Sequence, residues 1–379
     1  MTTKKALCLA SMASNLDNFN RGNVAELQKL GYEVTLASNF NTPEDINSKE
    51  KTEAFMKEMA SIGVRTVQVD FSRSVRRFGM HRRAYKQVKE LLKEGCDLIH
   101  CHTPVGAAIA RLAARKLQKR GQLKVIYTAH GFHFFKGAPL LYWLLFYPIE
   151  KYLSKYTDVQ ITINKEDFER ASKKFRAKKT VYVPGIGVDV EGLRRAAGKE
   201  SKRSELGIPS DAKLLISVGE LSKRKNHLPV IEALNDLDNP DVYYVIVGMG
   251  ALAEQLKAAD KTGRLILMGY RKDVPELIGA ADLFVFPSLQ EGLPVALMEA
   301  MAIGTPCICS RIRGNTDLMT DERLLFNPHS KDSIRKAIGH ALSASEQEIR
   351  ESVLKNETVV RECDKKIVAE KMREVYQNI

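Results

Sequence analysis

The sequence predicts an α/β protein of two consecutive doubly wound domains, each a parallel sheet covered by helices on both faces. Three observations predict it. Apolar runs of strand length alternate with amphipathic helical stretches from Ala6 to Phe175, and the alternation restarts at Leu214. A β-α repeat of this kind folds into a parallel sheet buried on both sides. The length, 379 residues, suits two domains of roughly 100–200 residues each. The charge divides at the same place: residues 1–186 carry 32 Lys and Arg against 17 Asp and Glu, a net +15, whereas the whole chain is +13.

In the first half, Ala6–Ala10 reads as a strand. A helix over Asn23–Gly31 follows, with Val24, Leu27 and Leu30 on one face and Gly31 as its stop. Next come strand Tyr32–Ala37, a helix around Glu53–Ile62, strand Val64–Val69, helix Arg82–Gly95 and strand Leu98–His102. Helix Ala107–Arg120, strand Lys124–Thr128, helix Tyr142–Lys155, strand Val159–Ile163 and helix Lys165–Phe175 complete it. Pro184-Gly185-Ile186-Gly187 reads as a hinge. The second half runs through strand Leu214–Val218, helix Leu228–Leu234, strand Val242–Val247, helix Leu252–Ala259 and strand Leu265–Met268. Helix Val274–Ala280, strand Leu283–Phe286, helix Pro294–Ile303 and strand Pro306–Ser310 follow, then helices at Lys331–Ala344 and Glu346–Thr358. The domains are therefore 1–186 and 187–360, with a C-terminal helix at about 361–379 expected to pack back on the first. Doubly wound domains bind ligands at the carboxyl ends of their strands, so the expected site is the cleft where the two domains face each other.

Composition narrows the function. A hydrophobic share of 44% with 28% charged residues excludes collagen-like, disordered and disulfide-scaffold chains. No apolar run reaches the roughly 18–20 residues of a membrane span, and the apolar part of the N-terminus is too short for a signal peptide. The six Cys lie mostly in apolar runs without a paired framework, which suits free thiols in a reducing cytoplasm. The basic first half suits an anionic partner: nucleic acid, a lipid headgroup surface or a phosphorylated substrate.

The most informative segment is Phe286–Pro306. A buried strand ends, and a loop bearing Glu291 and Gly292 leads into an apolar helix with Pro294 near its first turn. Glu299 is the single carboxylate in that helix, and a carboxylate among apolar neighbours is costly without partners.

The Glu291-x7-Glu299 frame followed by Ala300-Met301-Ala302-x-Gly304-x-Pro306 resembles the signature of family 4 retaining glycosyltransferases with the GT-B fold. Further segments fit in order: Ile99–Pro104, Tyr127–Gly131, Val183–Asp189, Ser217–Asn226, Val247–Gly250 with Glu254 and Leu256, and Ala281-Asp282 before Val285–Ser288. The resemblance implies that Glu299 binds the ribose hydroxyls of a nucleotide sugar, which suits a carboxylate that can accept both. It implies that Glu291 contacts the transferred sugar beside the N–H groups of Gly292 and Leu293, and that Lys225 pairs with the diphosphate. Gly219, Arg224 and Gly250 fall in the same nucleotide-binding loops, and His130 falls near the donor sugar.

Two departures stand out. Glu220 occupies the position where the family usually has Arg after the strand's Gly, and a carboxylate there cannot neutralise a diphosphate; either Arg224 or Lys223 compensates, or Glu220 faces elsewhere. Ser11-Met12-Ala13-Ser14-Asn15 replaces a common Gly-Gly pair after the first strand, leaving small polar residues to bring N–H groups to a phosphate.

Other patterns carry less. His100 and His102 share a strand face but have no convergent third ligand, so no metal is expected. Asp236-Leu237-Asp238 has the form of a metal-binding Asp-x-Asp yet lies far from the motif loops. Gly248-x-Gly250-x-x-Ala253 imitates a dinucleotide fingerprint but follows the second strand of its domain, which argues against a dehydrogenase. Arg73, Arg76, Arg77, His81, Arg82, Arg83, Lys86 and Lys89 form a basic stretch interleaved with Phe71, Phe78 and Met80. The aromatic segment Phe132–Pro148 holds the only Trp. Leu141, Leu144 and Leu145 within it, and Ile149 just after it, read either as core or, with the aromatics, as a membrane-interface surface.

The expected activity is metal-independent, cofactor-free, retaining transfer of a hexosyl or N-acetylhexosaminyl group from a UDP-sugar. The acceptor is expected to be a lipid-linked sugar for bacterial surface polysaccharide, with the protein held peripherally on the inner face of the cell membrane. No nucleic acid partner is expected. The alternatives are a GT-B-framed nucleotide-sugar epimerase or phosphorylase, and a nucleic-acid-binding protein on an inactive frame.

Overall fold

The computed structural model describes residues 3–196, 199–237, 239 and 241–379. It divides into two units: residues up to Ile186 together with Val368–Ile379, and Gly187–Ile367.

The first unit is built on seven parallel strands: β1 (Lys4–Met12), β2 (Tyr32–Asn39), β3 (Arg65–Gln68), β4 (Leu98–His102), β5 (Lys124–Ala129), β6 (Val159–Thr162) and β7 (Lys179–Tyr182). Their order is β3-β2-β1-β4-β5-β6-β7, so the winding reverses between β1 and β4. Both faces of β1 are buried, as the apolar run Ala6–Ala10 requires. Leu7 and Leu9 join one core, and Ala6, Cys8 and Ala10 join the other. Helices Phe78–Lys93, Pro104–Lys119 and Leu140–Leu153 supply the first core. Helices Arg21–Lys29, Lys49–Ser61 and Lys365–Gln377 supply the second. The C-terminal helix is tied to the first unit by Val368, Met372, Val375 and Tyr376 in that core and by Arg373 Nε donating to Glu26 at 2.7 Å.

The second unit has six parallel strands: β8 (Lys213–Val218), β9 (Val242–Val247), β10 (Leu265–Gly269), β11 (Leu283–Phe286), β12 (Cys307–Ser310) and β13 (Leu325–Phe326). The order is β10-β9-β8-β11-β12-β13, with its reversal between β8 and β11. Helix Val295–Ile303 follows β11, and its Leu297, Met298, Ala300, Met301 and Ala302 are buried. Val295, Ala296, Glu299 and Ile303 form its less buried stripe, the i, i+1, i+4 spacing of one helix face.

Two expectations need correction. Residues 11–15 are not a loop: β1 runs to Met12 and a helix, Ala13–Phe19, begins at once. The N–H of Ser11 donates to Thr103 Oγ1 and that of Ser14 to Asp45 Oδ2, both at 3.1 Å, so neither is free for a phosphate. Leu141, Leu144, Leu145 and Ile149 are all exposed, so the core reading of these four fails. The aromatics around them mostly point inward: Phe132 and Phe134 are buried, Trp143, Phe146 and Tyr147 pack against the core, and Phe71 is also buried. Of the Asp-x-Asp pair, Asp236 binds Lys331 at 2.6 Å in a surface ion pair, and Asp238 lies outside the described residues.

Candidate active site

In the second unit, the loops after β8, β9 and β11, and the helix that follows β11, carry the predicted groups. β8 ends at Val218, and the chain doubles back through Ser222 and Lys225. Asn226 adopts a positive φ of 59°, a backbone state that Asn tolerates better than most residues. Its amide donates to Pro287 O at 3.1 Å and Pro328 O at 2.9 Å, which pins this loop to the end of β11. The pinning places Lys225 Nζ 2.8 Å and Arg224 Nη1 2.9 Å from the same oxygen, Glu291 Oε1. Lys225 also lies 4.8 Å over the ring of Phe286, a cation–π contact that helps hold a half-desolvated ammonium. Two cations share one carboxylate, so the cluster retains a positive charge for an anion.

Gly219 supplies room rather than an amide. Its N–H is taken by Val247 O at 2.9 Å, and a Cβ there would stand 3.2 Å from Lys225 Cδ and Cε. Gly250 is held by close approach: a Cβ would overlap the backbone of Leu221. The N–H groups of Gly292 and Leu293 have no acceptor among the described residues, and they lead into the N-terminus of helix Val295–Ile303, whose dipole favours negative charge. Arg313 Nε donates to Glu291 O at 3.2 Å and steadies the loop from β12. Glu220 is exposed.

Glu299 sits on the half-buried stripe of that helix. Its carboxylate has no hydrogen-bond or ion-pair partner among the described residues, and burial pushes its pKa up, only partly offset by the charge of Lys365. Four buried polar atoms without partners, Ser222 Oγ, His227 Nε2, Ser288 Oγ and Asn315 Oδ1, also lie beyond the carboxyl ends of β8, β11 and β12. Unpaired buried polar atoms are rare in folded proteins, and each one calls for a partner that a bound molecule or water can supply.

In the first unit, His130 lies just past β5 and His102 ends β4. His102 Nδ1 and His130 Nε2 are 3.1 Å apart. The ring of Phe19 lies 4.8 Å from that of His130. Thr103, next in the chain, has φ 62° and ψ 139°, an outlier for a β-branched residue. Three bonds hold it there: Thr103 Oγ1 donates to His102 O at 2.5 Å and accepts from Ser11 N at 3.1 Å and Ser11 Oγ at 2.7 Å. His100 is fully engaged, with Nδ1 2.8 Å from Tyr376 Oη and Nε2 2.8 Å from Thr128 Oγ1.

Comparison with known proteins decides the family. Residues 23–191 match Glycosyltransferase Family 4, and residues 198–358 match Glycosyl transferases group 1. EpsD of Bacillus subtilis (strain 168), itself classed as a glycosyltransferase, is 36% identical over 84% of this chain and 82% of its own. The chain is a family 4 glycosyltransferase. The UDP-Gal:alpha-D-GlcNAc-diphosphoundecaprenol alpha-1,3-galactosyltransferase of Escherichia coli is 33% identical over 73% of this chain and 76% of its own. The fold is GT-B: the crystal structure of Anabaena HepE in complex with UDP superposes with a TM-score of 0.75 at 16% identity, over 99% of this glycosyltransferase and 100% of HepE.

The structure of this glycosyltransferase brings Arg224, Lys225, Glu291, Gly292 and Leu293 together at the switch point of the second sheet, with Glu299 on the helix that follows. Sequence reasoning missed the roles of Asn226, Arg313 and Thr103. Only Thr103 had a local signal, since it closes a strand and precedes Pro104. The glycosyltransferase also shows an outward apolar face on helix Leu140–Leu153, where Leu140, Leu141, Leu144, Leu145 and Ile149 are exposed. Helix Phe78–Lys93 packs on the same side of the sheet, across helix Pro104–Lys119. Arg77 and Arg83 there are paired with Glu44 and Asp70, whereas Arg73, Arg76 and Arg82 have no ion pair among the described residues. No described helix is long and apolar enough to cross a membrane.

Proposed function

We propose that this glycosyltransferase moves a hexosyl or N-acetylhexosaminyl group from a UDP-sugar to a lipid-linked acceptor in the synthesis of a bacterial surface polysaccharide, with retention and without a metal ion or cofactor. The unit ending at Ile186 takes the acceptor, and Gly187–Ile367 takes the donor. The observation that carries the reading is the Arg224–Lys225–Glu291 cluster beside the free amides of Gly292 and Leu293, followed by the unpaired Glu299. A diphosphate fits the cations and amides, and a ribose fits the carboxylate. The Escherichia coli relative is named for a UDP-galactose donor and an undecaprenol-diphosphate acceptor, which supports the same two substrate classes here.

The chemistry follows from the charges. As the bond between the sugar's anomeric carbon and the β-phosphate oxygen breaks, negative charge builds on the leaving diphosphate. Lys225, Arg224 and the loop amides meet that charge in fixed positions. The acceptor hydroxyl attacks the face the diphosphate leaves, and its proton passes to a β-phosphate oxygen. His130 contacts a substrate oxygen. The outward leucines and unpaired arginines of the first unit suit peripheral docking on the anionic inner face of the cell membrane, where a lipid-linked acceptor is found.

A thermal-shift panel of UDP, UDP-sugars, GDP-mannose and ADP-glucose tests the donor assignment, because a ligand that binds only the folded state stabilises it by mass action. The expected result is a shift with UDP and at least one UDP-sugar. A shift confined to the ADP or GDP compounds, or none at all, overturns it.

A further inference from the structure

The first unit contains three buried or half-buried histidines in one stack, and only one has partners for both ring nitrogens. His100 uses both ring nitrogens. His102 is 1% exposed, its Nδ1 faces His130 Nε2 at 3.1 Å, and its Nε2 is buried with no partner among the described residues. His130 is the half-buried member, and its Nδ1 has no partner among the described residues.

Two neutral imidazoles in this contact have two ways to share a proton. In one, His102 carries its hydrogen on Nδ1 and donates to His130 Nε2. His130 is then protonated on Nδ1, and the buried Nε2 of His102 is a bare lone pair. In the other, His130 donates from Nε2, and His102 must bury an unpaired Nε2–H. Orphaned N–H groups are rarer in protein interiors than under-used acceptors, so the first arrangement is favoured. Both rings are neutral near pH 7: burial holds His102 well below the ordinary histidine range and brings His130 down to about 4. The Phe19 ring lies 4.8 Å from that of His130, and the His102 ring lies 4.2 Å from that of His100, so both imidazoles are packed between aromatic rings.

We propose that His102 is a positioning residue that holds His130 in its Nδ1–H tautomer, so that the nitrogen His130 offers to substrate is a hydrogen-bond donor. Which nitrogen of a histidine carries the proton is set by the bond its other nitrogen makes. A donor at this position serves a sugar oxygen or a phosphate oxygen and discriminates against a substrate whose only group there is another donor. The inference rests on the proposed role of His130 for its consequence in catalysis, but not for the tautomer itself.

The test is long-range nitrogen–proton NMR on full-length protein labelled at histidine, without ligand, with the His130 and His102 signals assigned from His130→Gln and His102→Leu variants. The expected spectrum shows both rings as Nδ1–H tautomers. An Nε2–H signal for His130 overturns the proposal, whatever the donor turns out to be. In kinetics, His102→Asn keeps a donor near the Nδ1 position and is expected to retain turnover within about threefold, whereas His102→Leu loses about tenfold or more, the scale of one hydrogen bond at the reacting groups. Equal losses in both variants, with both folded by circular dichroism, would reduce His102 to a packing residue and overturn the positioning role. The tautomer is read in the free protein, so failure of the donor assignment leaves a separate signature: no thermal shift, but the same spectrum.

Discussion

Lys225 Nζ donates to Glu291 Oε1 at 2.8 Å, and only 14% and 12% of the two side chains are exposed. The carboxylate therefore holds the ammonium in place before any ligand arrives. Arg224 reaches the same oxygen from a more open position, 45% exposed. A diphosphate entering here meets cations already fixed and partly dry, where charge stabilisation is stronger than in water.

Replacement of Lys225 by Ala is expected to lower kcat by about 10²–10³, roughly 3–4 kcal/mol, as for other groups that meet transition-state charge. Exposed Glu220 supplies no cation to share the load, so the loss belongs in the upper part of that range. Initial rates with the cognate UDP-sugar measure it, and a variant within about threefold of wild type would move the role to Arg224.

Glu299→Ala should weaken UDP binding by about 1.5–3 kcal/mol, the range for hydrogen bonds to a charged group. The pH dependence has a definite sign. Burial raises the Glu299 pKa, and only the ionised carboxylate accepts from both ribose hydroxyls. Affinity for a UDP-sugar should therefore fall on acidification, beginning at a higher pH than an ordinary Glu would give. Glu299→Gln should bind weakly with that step missing. Calorimetry from pH 4.5 to 8 decides it, and a wild-type profile identical to the Gln variant's would remove Glu299 from the site.

Arg111 and Glu150 form a buried ion pair at 2.8 Å, both side chains almost fully dry, and Tyr127 Oη donates to the other Glu150 oxygen at 3.2 Å. Breaking such a pair leaves an uncompensated buried charge. Glu150→Ala is expected to destabilise the first unit by about 3–5 kcal/mol, while Arg111→Met with Glu150→Leu restores most of it. Trp143, the only Trp, lies on the same helix as Glu150, so its fluorescence in urea reports this unit. Equal stability of the single and double variants would show that the pair is not a matched one.

The outward face of helix Leu140–Leu153 and the unpaired Arg73, Arg76 and Arg82 should hold the protein on anionic vesicles. Each Arg near such a surface contributes about 1 kcal/mol, so reversing all three to Glu should release the salt-sensitive part of binding. Screening shortens from about 10 Å at 0.1 M salt to about 3 Å at 1 M, and binding that survives high salt should vanish with Leu141, Leu144 and Leu145 changed to Ser. Vesicle flotation measures both, and wild-type protein that stays off anionic vesicles at low salt ends the docking idea.

By itself the sequence determined the two doubly wound units and placed Glu291 at a strand end and Glu299 on the helix after it, whereas Lys225 entered through the resemblance to family 4 glycosyltransferases. Apolar runs of strand length are legible wherever a strand is buried on both faces, and Phe286–Pro306 places its carboxylates at a strand end by simple succession. It did not reveal β7, a half-exposed strand beginning with Lys179 and Thr180, or β13, which is two residues long. Neither has an apolar run to read. The His102–His130 contact was out of reach because it depends on the register of adjacent strands: His102 lies opposite Thr128, which leaves His130 two residues beyond. Only the tertiary structure decided which way helix Leu140–Leu153 faces. Its hydropathy is high all round, and its acid, Glu150, would ordinarily mark the wet side. Here Glu150 points into the core, where Arg111, 39 residues earlier, meets it, and Trp143, Phe146 and Tyr147 pack on that same side, so the leucines face outward.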